Sequence, residues 1–398
     1  MWLIAFLFHE MAFGLLSVFL PLYVTGGLGG SLTDVGVMVA LANVVAVPSS
    51  FFWGYMCDKT RRYSLYIFLS FLTVTILLMF FSLTNNIALL MGIYAAISIF
   101  HVAHEAPKNV LIAEYYSRPE WERSFATYEA LTEVGWLVGL LLGFVLSGYG
   151  LGSTFIILVC SFLNMVAFVT SLIFVRDPLL VFERRLVAIE RVVSFAQRGF
   201  SLASKALDGE QVKEKLKNES ATIFCIGLLL FSLATSMLFT PLPVFFADSL
   251  GLSQSVVFGI FMFNGLGGLL GYVLSGRMAQ RLNGRRVVRR ANLARGVLSL
   301  FLIVTVVWSS VFTLTLAAIA LTLMSIAYSF FLISTLSLSM ELIPEGKAGM
   351  FNALIGLGGA VGCYLGTYIA QNYNFQTLFI TSSIGFFLGY IAFKTYTR

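Results

Sequence analysis

The sequence predicts an all-α membrane protein whose twelve transmembrane helices form two pseudo-symmetric six-helix bundles. Three observations predict this class: a strongly apolar composition, apolar runs of membrane-spanning length, and the return of the same residues at a nearly fixed offset. The 398 residues are 59% hydrophobic and only 11% charged, with a mean hydropathy of +0.91 and 38 phenylalanines. Soluble domains carry roughly 25% charged residues, so this composition is that of a multi-pass membrane protein.

A bilayer core takes roughly 20 apolar residues per helix. On that measure the first six spans lie near 3–25, 33–54, 63–84, 87–112, 125–147 and 153–175. The second six lie near 221–247, 254–277, 291–309, 312–338, 348–370 and 374–394. The run "MWLIAFLFHEMAFGLLSVFLPLYV" has no basic leader and is long enough to cross, so it is expected to be the first span and not a cleaved signal. Cys57, Cys160, Cys225 and Cys363 stand singly, with neither a disulfide framework nor a metal-ligand spacing, and read as packing residues.

The loops after spans 1, 3, 5, 7, 9 and 11 contain no lysine or arginine. All 25 basic residues are read as lying in the alternate loops, near their helix ends, or in the C-terminal tail. The positive-inside rule then puts both termini in the cytoplasm of a cell-membrane protein. The formal charge of +6 is topology and not a nucleic-acid footprint. Three segments follow: bundle 1–176, a cytoplasmic linker 177–220, and bundle 221–398. Within the linker, 179–200 has apolar residues at helical spacing beside Arg184, Arg185, Arg191 and Arg198, the pattern of an amphipathic helix on an anionic leaflet.

The halves repeat. Pro21 is separated from Pro243 by the same stretch of chain that separates Gly54 from Gly276. Gly135, Gly139 and Gly143 in span 5 match Gly358, Gly362 and Gly366 in span 11, with the offset longer by a single position. Three features in register argue for a duplicated six-helix unit, as in transporters built from repeats.

The turn after span 2 reads "GYMCDKTRR" and the turn after span 8 "GRMAQRLNGRR". Both resemble the loop signature of the major facilitator superfamily: glycine, three residues, aspartate, a basic residue, then glycine and basic residues. With the twelve spans and the long central loop, the resemblance covers the whole chain. The first copy has Arg61 where the family's second glycine would stand. The second has Gln280 in place of the aspartate and one extra residue before Gly284.

This resemblance implies secondary transport by alternating access and a cytoplasmic gate. Gly54, with Gly276 as its counterpart, would let span 2 approach span 11, and Asp58 would sit at the N-terminus of span 11. Glu114 and Glu341 would face Arg62 and Arg285, with Arg123 and Arg281 among the flanking basic residues. On the plainer reading these charges only set topology. The span-5 glycine ladder resembles a motif associated with antiporters, although Leu140 stands where that motif has proline. Span 4 also lacks the buried arginine of many proton-coupled drug exporters. Close helix packing by both ladders is expected either way.

Ionisable groups inside the spans are read as concentrated in the first half: His9 and Glu10 in span 1, His101, His104, Glu105 and Lys108 in span 4, and Glu129 and Glu133 in span 5. The second half is expected to have essentially none before the membrane edge, where Asp248 and Glu341 stand. A charge at mid-bilayer costs roughly 2.5–3.5 kcal/mol on insertion scales, so eight such groups need a reason. His101, His104, Glu105 and Lys108 share one helical face. Glu10, Glu105 and Glu133 lie roughly 10–15 Å from the cytoplasmic ends of their helices. The family resemblance sets spans 1 and 4 on the central cavity, so one wet polar site is expected.

Histidines and carboxylates beside low-dielectric walls suit proton transfer, with Glu105 and His101 leading and Glu133 and Glu10 behind. Lys108 would be a counter-ion or an anchor for an anionic substrate. The bland alternative is that Glu105 and Lys108 only neutralise each other while Glu129 and Lys108 snorkel. Opposite them, Ser236, Thr240, Asn264, Tyr328, Ser334, Asn352 and many aromatics would suit an amphiphilic or weakly cationic solute.

The expected function is secondary active transport of a small organic solute, proton-coupled, with export favoured over uptake. Carriage of a divalent metal by "HVAHE" with His9 and Glu10, a nutrient transporter or uniporter, and a non-transporting sensor are the alternatives. No enzyme is expected, since there is neither a nucleotide-binding glycine loop nor a nucleophile elbow, and "GLGGLLG" (265–271) lies within a span as packing. No cofactor and no resident metal are expected. The expected partners are the substrate, protons and the lipid bilayer, with the protein a monomer.

Overall fold

The computed structural model describes residues 2–115, 121–177, 221–278, 283–307, 311–342 and 349–396. Outside the described residues lie Gln280, Arg281 and the linker with its amphipathic segment, as do the side chains of Asp58, Glu114, Arg123, Glu341 and Asn352.

All regular structure among the described residues is helical. Among the described residues eleven helices are long and apolar enough to cross a membrane, and they coincide with every expected span except the ninth. The ninth runs Gly284–Phe301, followed by a short helix Ile303–Val307. It therefore begins earlier than expected: Arg285, Arg286, Arg289 and Arg290 form its first turns instead of a loop. The cause is local, because the Asn283 side chain caps the helix by accepting from the Arg286 backbone N–H at 3.4 Å.

Span 1 (Leu3–Leu22) carries Pro21 in its last turn and passes into a π-helical turn, Tyr23–Gly27. In span 7, Ala221–Phe239 is followed by a helical turn Leu242–Val244, containing Pro243, and then by a π-helical turn, Phe245–Ser249. The two π-turns match residue for residue, at the same offset as Pro21 and Pro243. Beyond them Gly29 and Gly251 take φ of 67° and 64°, a conformation that glycine adopts without penalty. Equivalent backbone bonds close the two loops, Gly30 N–H to Val24 O at 2.8 Å and Leu252 N–H to Phe246 O at 3.2 Å. The duplication is thus written in the main chain.

Span 2 (Leu32–Thr60) starts at a capping box in which Ser31 and Asp34 exchange side-chain-to-backbone bonds of 3.1 and 2.8 Å. It ends on Arg61, at φ 54°, which among the described residues is the only non-glycine with positive φ. Arg61 thus takes the backbone conformation for which the family's glycine is suited. Span 3 is Tyr63–Phe81, and Asp177 accepts from the backbone and hydroxyl of Ser64 at its start, at 2.8 and 2.9 Å. In span 4 a 3₁₀ turn, Val102–His104, separates Ile87–His101 from Glu105–Tyr115. Spans 5 and 6 are Trp121–Gly148 and Ser153–Phe174. Spans 8, 10, 11 and 12 are Gln254–Met278, Val311–Leu342, Gly349–Asn372 and Phe375–Tyr396.

Each half is built from the same helix pairings: 1 with 5 and 6, 3 with 6, 2 and 3 with 4, and their counterparts 7 with 11 and 12, 9 with 12, 8 and 9 with 10. Small residues let the backbones meet. A β-carbon at Gly135 or Gly139 would run into the carbonyls of Leu7 and Met11. One at Gly358 or Gly362 would run into those of Leu229 and Leu233, the counterparts of Leu7 and Met11 in span 7. The third rungs differ: Gly366 lies against the Met237 carbonyl, whereas Gly143 faces the Phe258 ring of span 8. On the outside, large apolar side chains such as Phe51, Phe80, Phe162, Ile319 and Ile391 stand exposed, as contact with acyl chains requires.

The halves touch where span 2 meets span 11 and span 5 meets span 8. Thr33 donates to Gln371 from its backbone and its hydroxyl, at 2.7 and 2.6 Å. Gly36 meets Thr367, and a β-carbon at Gly356 would approach Val47 to 2.6 Å. Further along span 2, no described residue lies within 4 Å of a β-carbon position at Gly54. Its counterpart Gly276 does face a neighbour, Ala126, whose Cβ would lie 2.9 Å away.

Candidate functional site

His9 is fully buried in span 1. Its Nδ1 lies 2.6 Å from Asn164 Oδ1, and the Asn164 amide donates to the Cys160 carbonyl at 3.1 Å, which fixes that amide's orientation. Nδ1 must therefore be the donor, leaving the Nε2 lone pair to face His101 Nδ1 at 3.0 Å. The break in span 4 explains why two histidines reach one point: residues three apart eclipse in a 3₁₀ turn. His101–His104 ring centroids are 5.0 Å apart, and those of His9 lie 5.0 and 4.9 Å from them, so the three imidazoles form a nearly equilateral triangle. Phe13 and Phe71 wall it, at 4.3 Å from His101 and 4.5 Å from His9.

His104 Nδ1 lies 3.4 Å from the Ser70 hydroxyl. Its Nε2 lies 3.3 Å from Glu105 Oε1 but outside hydrogen-bond geometry, and has no hydrogen-bond partner. The other Glu105 oxygen accepts from Lys108 Nζ at 2.6 Å, and that ammonium stands 4.8 Å from the Tyr128 ring centroid. Glu105 and Lys108 are thus one ion pair at the rim of the histidine triangle.

The remaining carboxylates stand apart. Among the described residues no hydrogen bond or ion pair engages the carboxylate of Glu10, Glu129 or Glu133. Glu10 packs against Gly135 of span 5 and interacts electrostatically with Glu105, Glu129, Lys108 and Glu133. Glu133 reaches across to span 8, where a β-carbon on Gly268 would come within 2.6 Å of its Oε1. The glycines of "GLGGLLG" each make room for a neighbour: Gly265 for Leu137, Gly267 for the Thr322 carbonyl, Gly268 for Glu133 and Gly271 for Ser329.

The second half is not uncharged. Arg295 is 1% exposed, with its guanidinium carbon 5.0 Å from the rings of Phe231 and Phe386 and 5.3 Å from those of Phe239 and Tyr328. Its Nε and Nη1 have no hydrogen-bond partner among the described residues. Sequence reasoning missed it by counting the arginines after span 8 as loop. The signal was present in the buried stripe Val288, Ala291, Asn292, Arg295, Gly296, Ser299, which has helical spacing. The aromatic wall expected to meet a cationic solute therefore already surrounds a cation of its own.

Of the neutral groups, Thr240 and Asn43 donate to Cys363 Sγ at 3.1 and 3.6 Å, Ser236 lies against Gly359, and Asn264 Oδ1 is buried without a partner. Ser334 stands beside Gly284 at the start of span 9. At the gate, Arg62 is exposed ahead of span 3 and Arg285 lies 5.7 Å from the Tyr396 ring centroid. An apolar groove of about 480 Å³ lies between spans 5, 8 and 10, lined by Phe144, Phe263, Ile319 and Leu323.

The sequence model of the Major Facilitator Superfamily matches residues 2–356. The chain belongs to this family. It is a multi-pass membrane protein and a secondary transporter of the major facilitator fold. The nucleoside transporter NupG superposes with a TM-score of 0.70 at 15% identity, over 100% of this chain and 98% of its own. A POT family transporter in complex with 5-aminolevulinic acid gives 0.71 at 13%, over 99% and 93%. A mutant of the peptide transporter POT in complex with sulfate gives 0.67 at 14%, over 98% and 92%. At these identities the likeness is one of fold. No curated protein sequence matches the chain.

Proposed function

We propose that this major facilitator protein exchanges a small organic solute bearing a cationic group against protons, with both termini cytoplasmic and residues 177–220 linking the bundles of a monomer. The observation that carries this reading is Glu133. Its carboxylate has no bonding partner among the described residues and lies in the contact between spans 5 and 8, against Gly268. That contact joins the two halves, which rock against each other in alternating access. A carboxylate without a partner there holds either a proton or a cation, and competition for it is what couples exchange. Glu10 stands behind it as a second acceptor. Glu105, already paired with Lys108 at 2.6 Å, is less suited to carry the proton than its place in the sequence implies.

The test is proton release by detergent-purified protein on adding a panel of cationic, anionic and neutral solutes, run beside Glu133→Gln, Glu105→Gln and His101→Ala. Cation-dependent release that disappears in Glu133→Gln supports the reading. Solute binding with no proton movement in the wild type would overturn it in favour of a uniporter.

A further inference from the structure

The histidine triangle has the makings of a metal site in its donors, its supports and its one unused atom. One ring nitrogen from each of His9, His101 and His104 lies within 4.8 Å of the others, and His9 Nε2 is 3.0 Å from His101 Nδ1. Glu105 Oε1 lies 3.3 Å from His104 Nε2 at the rim, outside the set of mutually close donor atoms. Three imidazoles with a fourth position left open are a donor set for a borderline ion, whereas calcium and magnesium prefer oxygen.

The second shell points the same way. A metal-bound imidazole usually donates its other N–H to an oxygen. His9 does this to Asn164 at 2.6 Å, and Asn164 is itself fixed by Cys160, so the His9 Nε2 lone pair is aimed into the triangle. Ser70 stands 3.4 Å from His104 Nδ1 in the same role. The independent sign is His104 Nε2, fully buried and without a hydrogen-bond partner, facing Glu105. His101 and Glu105 are partly exposed and give the way in.

We propose that His9, His101 and His104 bind one divalent transition-metal ion of the zinc, cobalt or nickel class. The ion takes the place of the hydrogen between His9 Nε2 and His101 Nδ1. His101 then carries its proton on Nε2, so all three rings stay neutral and the bonding nitrogens are lone pairs. This site does not depend on Glu133 carrying protons.

These are the chain's three histidines, so imidazole ligation reports on this site alone if the protein carries no histidine tag. The full chain, stripped with chelator, would be titrated with Co²⁺ and followed by the visible absorption of four-coordinate cobalt, with Zn²⁺ added to compete. The expected result is one equivalent bound, with the bands lost in His9→Ala and His104→Ala. Asn164→Leu should weaken affinity about 10–100-fold. Should His9→Ala fail to fold, His101→Gln at the partly exposed rim serves instead. Glu133→Gln should bind cobalt as the wild type does, which separates this test from that of proton exchange. An absence of cobalt bands in the wild type, or bands that survive both His104→Ala and His101→Gln, would overturn the proposal.

Discussion

In the first half His9 of span 1 bonds Asn164 of span 6. In the second half Phe231 of span 7 packs edge-on against Phe386 of span 12, centroids 5.7 Å apart. Phe231 is the counterpart of His9, and Phe386 that of Asn164, at the offset that relates the two prolines. The same helix pairing is thus filled once by a hydrogen bond between titratable and amide side chains and once by aromatic rings around a guanidinium. The first arrangement can gain and lose protons or take up an ion. The second holds a fixed charge that π faces stabilise without a carboxylate. The comparison teaches that the repeat preserves helix geometry while the buried chemistry has diverged, so that all three histidines fall in one half.

The largest effects should come from what the halves share. Gly139→Ala and Gly362→Ala each drive a β-carbon into a carbonyl of the paired span, and each should cost about 3 kcal/mol in unfolding free energy. Unequal losses, measured by denaturant titration in detergent, would break the claim that the two ladders are equivalent. Next comes His9→Phe, which installs the second half's residue in the first. It orphans the Asn164 carbonyl and should cost about 2 kcal/mol, most of it recovered in the double variant His9→Phe/Asn164→Phe. Failure of that recovery would mean that the two sites are not interchangeable solutions of one packing problem. Arg295→Met should act with the opposite sign, raising stability by about 1 kcal/mol because a buried cation without hydrogen bonds gives way to a packed apolar chain. A fall in melting temperature instead would show that the aromatic cage more than compensates the burial. The smallest expected change is Arg61→Gly. Relief of the left-handed backbone, offset by glycine's greater unfolded-state freedom, should leave a gain of about 0.5 kcal/mol in the same titration.

Much of the fold was legible because membrane spans advertise themselves by length and hydropathy, and because Pro21/Pro243 and the glycine ladders kept register. The start of span 9 was not, since the arginines between Gly284 and Phe301 lower its hydropathy below that of a lipid-facing helix. Helical spacing linked His101, His104, Glu105 and Lys108. It did not reveal that Asn164 would orient His9, because a contact across 155 residues leaves no periodic trace. Nor did it distinguish the paired Glu105 from the unpaired Glu133: whether a cation stands beside a carboxylate is decided by tertiary packing. Gly54 marked a family motif, but which conformation brings it against span 11 is not a property of local sequence.

The π-helical turns carry a consequence for insertions and deletions. Each residue in an α-helix advances the chain by about 100°. Tyr23–Gly27 and Phe245–Ser249 each hold a widened turn beside a proline, so each half is geared with one extra tooth at the same place. Removing a single residue from one of them would let the widened turn tighten to an α-turn, whereas removing one from the span beneath would swing everything beyond it by about 100°. In the first half that carries the Ser31–Asp34 cap, and with it the start of span 2, out of phase with Gln371. Such a deletion matched in both halves would keep the gears alike; in one alone it would strip them.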